Sequence, residues 1–135
     1  MAAPEESPPR VVLDTNLFIA AFWNRQSASA AILRACLEGR VRIFYTRQIR
    51  REIFFILDNI RASTQYRQFV ESVLESGTEV SAPGTLRVVT DDPDDDKFLE
   101  CARIAEAGYL VTSDEHLLRM GRFEGAQIVK PSQFR

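Results

Sequence analysis

Histidine occurs once in this 135-residue sequence, cysteine twice, glycine six times, and lysine supplies only two of the 17 basic residues. Each scarcity excludes something. The lone His116 rules out a His-rich zinc site and leaves any Ser-His-Asp triad dependent on one residue. It is expected on a helix surface, without a catalytic role. Cys36 and Cys101 form no C-x-x-C pair and sit among apolar helical neighbours. Both are therefore expected to be small core residues of a reduced, cytoplasmic protein. There is no glycine-rich phosphate loop and no internal repeat. The longest apolar run, 17–23, is far too short to span a bilayer, so no membrane partner is expected. The opening segment MAAPEESPPR is acidic and proline-rich and lacks an apolar stretch. A disordered lead-in over 1–9 is expected there, followed by a single domain over 10–135.

A basic excess is also missing. The formal net charge is −2, which excludes a histone-like or tail-driven nucleic-acid binder. The charges are unevenly spread, however: residues 1–90 carry 11 basic and 9 acidic side chains, and residues 91–135 carry 6 and 10.

What is present is alternation. A buried strand at 11–13 runs into Asp14-Thr15-Asn16, and helices follow at 17–23 and, capped by Ser27, through Glu38. A strand at 41–45 precedes a helix over 47–57 capped by Thr46. A second helix over 65–76, capped by Ser63 or Thr64, ends at Gly77. Strands are expected at 86–89, 109–112 and 127–129, with helices over 95–107 and 114–120 between them. Strands alternating with helices predict an α/β fold with a parallel sheet covered on both faces.

In such sheets ligands bind beyond the carboxyl ends of the strands. Asp14 and Asp114 stand at or just past two such ends, and Asp95 opens a helix. Glu52 lies within the helix over 47–57. On a wheel started at Ile49, Glu52 falls near ~300°, at the margin of a stripe formed by Ile49, Ile53, Ile56 and Leu57. Arg51 falls on the wet side. A second wheel separates the tandem acids. Asp95 shares a face with Phe98, Leu99 and Ala102, whereas Asp96 at ~100° lies beside Arg103, on the flank. Asp95 is therefore the better inward ligand, and Asp96 is expected to pair with Arg103. Asp91, Asp92 and Asp94 are expected cap or loop acids. Four converging carboxylates repel one another unless protonated or neutralised by a cation. Oxygen ligands favour Mg²⁺ or Mn²⁺, and such ions suit phosphodiester hydrolysis.

The chain resembles the PIN-domain ribonucleases, and within them the VapC-like toxin components of toxin–antitoxin pairs. The resemblance rests on V-V-L-D-T-N (11–16), R-R-E-I-F-F-I-L (50–57), D-P-D-D-D-K-F-L-E-C-A (92–102) and Y-L-V-T-S-D-E-H-L-L (109–118), in that order, with I-V-K-P-S-Q-F (128–134) as a closing strand and turn. It implies a three-layer α/β/α sandwich with a central, mainly parallel sheet, and a metal-dependent endoribonuclease. It maps the family's acids onto Asp14, Glu52, Asp95 and Asp114, with Asp14, Asp95 and Asp114 holding Mg²⁺ or Mn²⁺ and Glu52 a ligand or positioning group. Asn16 and Thr112 match supporting polar positions. The tandem acids leave a one-residue ambiguity between Asp95 and Asp96.

Six arginines within 34–51 face a single acid, Glu38. Arg47, Arg50 and Arg51 are the candidate contacts to single-stranded RNA, because forked guanidinium groups hold phosphates and stack on bases. Leu17, Phe18, Phe22 and Trp23 are expected to expose an apolar surface for a homodimer or a cognate antitoxin. Two rival readings remain at this level. One is a catalytically idle PIN-fold binding module. The other is a phosphoacceptor receiver-like domain, which fits Thr112 and Lys130-Pro131 but lacks an aspartate after a middle strand.

Overall fold

A computed structural model of the chain describes residues 7–84, 86 and 93–134. Strand β1 (Arg10–Leu13) leads into helices α1 (Asn16–Trp23) and α2 (Ala28–Leu37), then β2 (Arg42–Thr46), α3 (Arg47–Asn59), α4 (Thr64–Glu75) and β3 (Thr78–Val80). A 3₁₀ turn (Pro93–Asp95) runs directly into α5 (Asp96–Ala105). The chain continues through β4 (Tyr109–Val111), α6 (Glu115–Met120), β5 (Arg122–Phe123) and β6 (Ala126–Val129), and a 3₁₀ turn at Pro131–Gln133 follows.

The caps read from sequence are those that form. Ser27, Thr46 and Ser63 each accept a hydrogen bond from the backbone N–H three residues on, at 3.1, 3.2 and 3.1 Å. Each satisfies a helix-end donor that would otherwise lack a partner. The α3 wheel also holds, with Ile49, Ile53 and Leu57 buried, Arg51 exposed and Glu52 between them.

The sheet order is β3-β2-β1-β4-β6-β5, parallel throughout except for the β5–β6 pair. Val11, Val12 and Leu13 are all buried, as a strand covered on both faces requires. Right-handed crossovers put the β1–β2 and β2–β3 connections on one face and the β3–β4 connection on the other. Accordingly α1, α2 and α4 pack together, while α5 lies across β1, β2, β3 and β4. The result is the expected three-layer α/β/α sandwich.

Two strands depart from the sequence reading. β3 forms at Thr78–Val80, where no strand is expected, and β5 adds a short antiparallel edge. The strand expected at 86–89 falls mostly outside the described residues, as do Asp91 and Asp92; Leu86 itself is not in a strand. β3 escapes detection because it is a three-residue edge whose first two side chains are exposed. Its position depends on Gly77, where a Cβ would lie 2.2 Å from the Ile43 carbonyl oxygen. Glycine lets the chain pass that close to β2.

The apolar surface expected on α1 is also corrected. Leu17 and Phe18 are core residues, 2% and 1% exposed, in a helix packed against α2 and α3. Phe22 is half-buried and Trp23 is 68% exposed. Cys36 and Cys101 are buried, and burial pushes both thiols up to about 12, so neither is poised to react. Among the described residues no helix is long and apolar enough to cross a membrane.

Candidate active site

The sheet order locates the site. β1 and β4 are neighbours, and the chain leaves β1 towards β2 on one side and returns to β4 on the other. That reversal opens a crevice at their carboxyl ends. The register pairs Leu13 with Val111, so the next residues, Asp14 and Thr112, emerge side by side at its floor.

Asp14 is buried, and three neighbours fix its orientation. The Thr112 hydroxyl donates to Oδ2 at 2.6 Å and the Asn16 backbone N–H donates to Oδ1 at 3.0 Å. Its own N–H donates to the Val111 carbonyl at 3.0 Å. Burial pushes the Asp14 carboxyl above its ordinary value, and the charges of Asp114 and Glu52 add to that push. The two hydrogen bonds to the carboxylate oppose it. Asn16 thus serves Asp14 through its backbone, with its own side chain exposed.

Asp114 caps α6, its Oδ1 accepting from the His116 and Leu117 backbone N–H groups at 2.8 and 3.4 Å. Its own N–H donates to the Thr112 hydroxyl oxygen at 3.0 Å. Thr112 is therefore the joint between Asp14 and Asp114. Asp95 reaches the same place from the head of α5, and one donor atom each from Asp95, Asp114 and His116 lie within 4.8 Å of one another.

Glu52 enters from α3 with both oxygens engaged. Thr15 donates its hydroxyl to Oε1 at 2.6 Å, and Lys97 Nζ lies 2.9 Å from Oε2. The Lys97 side chain is only 8% exposed; its ammonium also donates to the Asp94 carbonyl at 2.8 Å and lies over the Phe98 ring.

The structure separates the tandem acids. Asp95 turns towards Asp114. Asp96 is also buried, not flanking, and lines a cavity of about 210 Å³ with Gln48, Gly84, Leu86 and Glu100 among others. The expected Asp96–Arg103 pair is replaced: positions seven apart share a helix face but stand about two turns, ~10 Å, apart, and Arg103 reaches Glu124 at 3.6 Å instead. The candidate RNA contacts also divide. Arg47 lines a cavity of about 300 Å³ with Thr46, Glu79, Lys97 and Glu100, at the same carboxyl end of the sheet as the acids. Arg50 turns away to pair with Glu71 and stack on Phe54, and Arg51 is exposed.

Sequence reasoning did not single out Thr15 or Lys97, and it placed His116 on a helix surface without noting its nearness to Asp95 and Asp114. Thr15 and His116 each lie within two positions of a singled-out acid. Lys97 carried a compositional signal, since it is one of only two lysines and directly follows the acid run.

The donor set fits a divalent cation. Carboxylates dominate it, Lys97 offsets one negative charge at Glu52, and the Asp14 carboxyl, raised first by its burial, also feels the charges of Asp114 and Glu52. A family model described as PIN domain matches residues 10–116, which contain all four acids. The chain belongs to the PIN-domain family. PIN domains are generally nucleases, generally use divalent metals and generally bind RNA. The fold is similar to that in the crystal structure of PAE2754 from Pyrobaculum aerophilum, with a TM-score of 0.56 at 17% identity, over 90% of this chain and 91% of that one. No curated protein matches the sequence.

Proposed function

We propose that this PIN domain is a metal-dependent endoribonuclease, hydrolysing RNA phosphodiester bonds with Mg²⁺ or Mn²⁺, and that it is the toxin of a toxin–antitoxin pair. The observation that carries the nuclease reading is the Asp14–Thr112–Asp114 joint at the β1/β4 crevice, with Glu52 and Asp95 brought to it from two further elements.

Asp14, Asp95 and Asp114 hold the cation in this reading. When bound, it supplies the Lewis acidity that phosphodiester hydrolysis requires. Thr112 keeps Asp14 and Asp114 in one orientation, so ligand geometry is set before substrate arrives. Glu52, held by Thr15, orients the attacking water. Lys97 places a fixed positive charge among the acids of the crevice, where it meets the scissile phosphate. Arg47, on the rim of the adjoining cavity, steadies the RNA backbone.

The half-buried Phe22 lines a cavity of about 260 Å³ with Arg25, Arg34, Tyr66 and Phe69, and the exposed Trp23 packs edge-on against Phe22. This surface is the proposed seat of the antitoxin or of a second copy. Buried cysteines suit a cytoplasmic setting.

The test is cleavage of single-stranded and structured RNAs by the purified chain with Mn²⁺, with EDTA, and with Asp14→Asn. Cleavage is expected only from the parent with metal; activity surviving EDTA and the substitution overturns the mechanism. For the toxin reading, inducing the chain alone is expected to arrest growth, and co-expressing the neighbouring open reading frame to relieve it.

A further inference from the structure

The chain's one histidine lies beside two of the acids. Because the Asp114 carboxylate caps α6 through the His116 N–H, the cap holds the imidazole against the same carboxylate, with Nδ1 3.6 Å from Asp114 Oδ1. Asp95 arrives from α5, and the three donor atoms lie within 4.8 Å of one another, close enough to share one ion.

Charge argues the same way. Asp95 and Asp114 carry two negative charges between them, matched by one divalent ion, and a ligating imidazole is neutral. Glu52 is already matched by Lys97. A dication there offsets both charges, and a neutral nitrogen ligand adds nothing to the further carboxyl that Asp14 brings to the same cation.

We propose that His116 is a direct nitrogen ligand to the catalytic cation, making the centre a mixed oxygen–nitrogen site that selects Mn²⁺ over Mg²⁺. The proposal rests on the metal-centre reading above and adds to it the identity of one ligand and of the preferred ion. Mg²⁺ demands oxygen and keeps its waters, whereas imidazole suits first-row transition ions. His116 is 38% exposed at its side chain, so replacing it leaves the core untouched.

The test is Mn²⁺ bound to the full chain, read by pulsed electron paramagnetic resonance for ¹⁴N coupling and by calorimetry for affinity, in the parent and in His116→Asn. Strong imidazole ¹⁴N modulation is expected in the parent and absent in the variant. Mn²⁺ affinity should fall roughly 10- to 100-fold while Mg²⁺ affinity changes less than about 3-fold. Mn²⁺ binding to the parent without ¹⁴N modulation overturns this proposal and leaves the metal-centre reading standing. Binding of neither ion to the parent overturns both.

Discussion

Thr112 donates its hydroxyl to the Asp14 carboxylate at 2.6 Å, across 98 positions of sequence. The same oxygen accepts the Asp114 N–H, so one fully buried side chain serves two acids. Thr112→Val keeps the shape and removes both bonds. It should cost about 1–3 kcal/mol of stability, because a polar group is left without its partner. Mn²⁺ affinity by calorimetry should drop about 10- to 100-fold, and Thr112→Ser should restore most of it.

Asp14 gives a pH signature. Its carboxyl is raised in the folded protein, so above the ordinary carboxyl range the fold holds a proton that the unfolded chain releases. The contribution of this group to stability is therefore fullest in acid and falls as pH rises through the folded value. Asp14→Asn removes that fall. In EDTA the variant should exceed the parent by about 1 kcal/mol at pH 8, while losing activity. Urea denaturation should show the difference closing towards about pH 4.

Lys97 and Glu52 should prove energetically coupled. Lys97→Met leaves Glu52 facing its like-charged neighbours, so a double-mutant cycle with Glu52→Gln should give about 1–2 kcal/mol of coupling. In RNA cleavage, Lys97→Met should lower kcat about 100-fold. Lys97→Arg should not rescue it, since a planar fork does not fit where a compact ammonium sits.

Arg47 and Arg50 should part company. In EDTA, Arg47→Ala should weaken single-stranded RNA binding and lower the salt slope by about 0.7, the loss of one phosphate contact. Arg50→Ala should leave the slope unchanged, because Glu71 already holds that side chain. Fluorescence anisotropy across a salt series reads both.

Gly77 should tolerate no side chain. An added Cβ meets the Ile43 carbonyl oxygen at 2.2 Å and its Cγ2 at 2.4 Å. Gly77→Ala should cost about 3 kcal/mol, seen as a lowered denaturation midpoint.

The parts legible in the sequence are those governed by local rules. Ser27, Thr46 and Ser63 announce helix starts because a cap satisfies its own next turn. The α3 wheel finds Glu52's margin because burial along one helix is periodic. β3 was hidden because an edge strand needs no apolar run, and Leu17 and Phe18 because a hydrophobic helix reads alike in a core or on a surface. Thr15 and Lys97 were hidden for another reason: each meets Glu52 from a separate element, and periodicity carries no word about partners. The Asp96–Arg103 expectation failed on that point, since a shared angle on a wheel is not a shared height.

The β1–β4 register has a consequence in time. Asp14 is made 98 positions ahead of its hydroxyl partner, Thr112. Thr112 is itself held through its N–H to the Val129 carbonyl at 2.9 Å. Contacts of such sequence separation close late in folding. The acids therefore stay scattered on an emerging chain, and the centre comes into being only once β6 has docked.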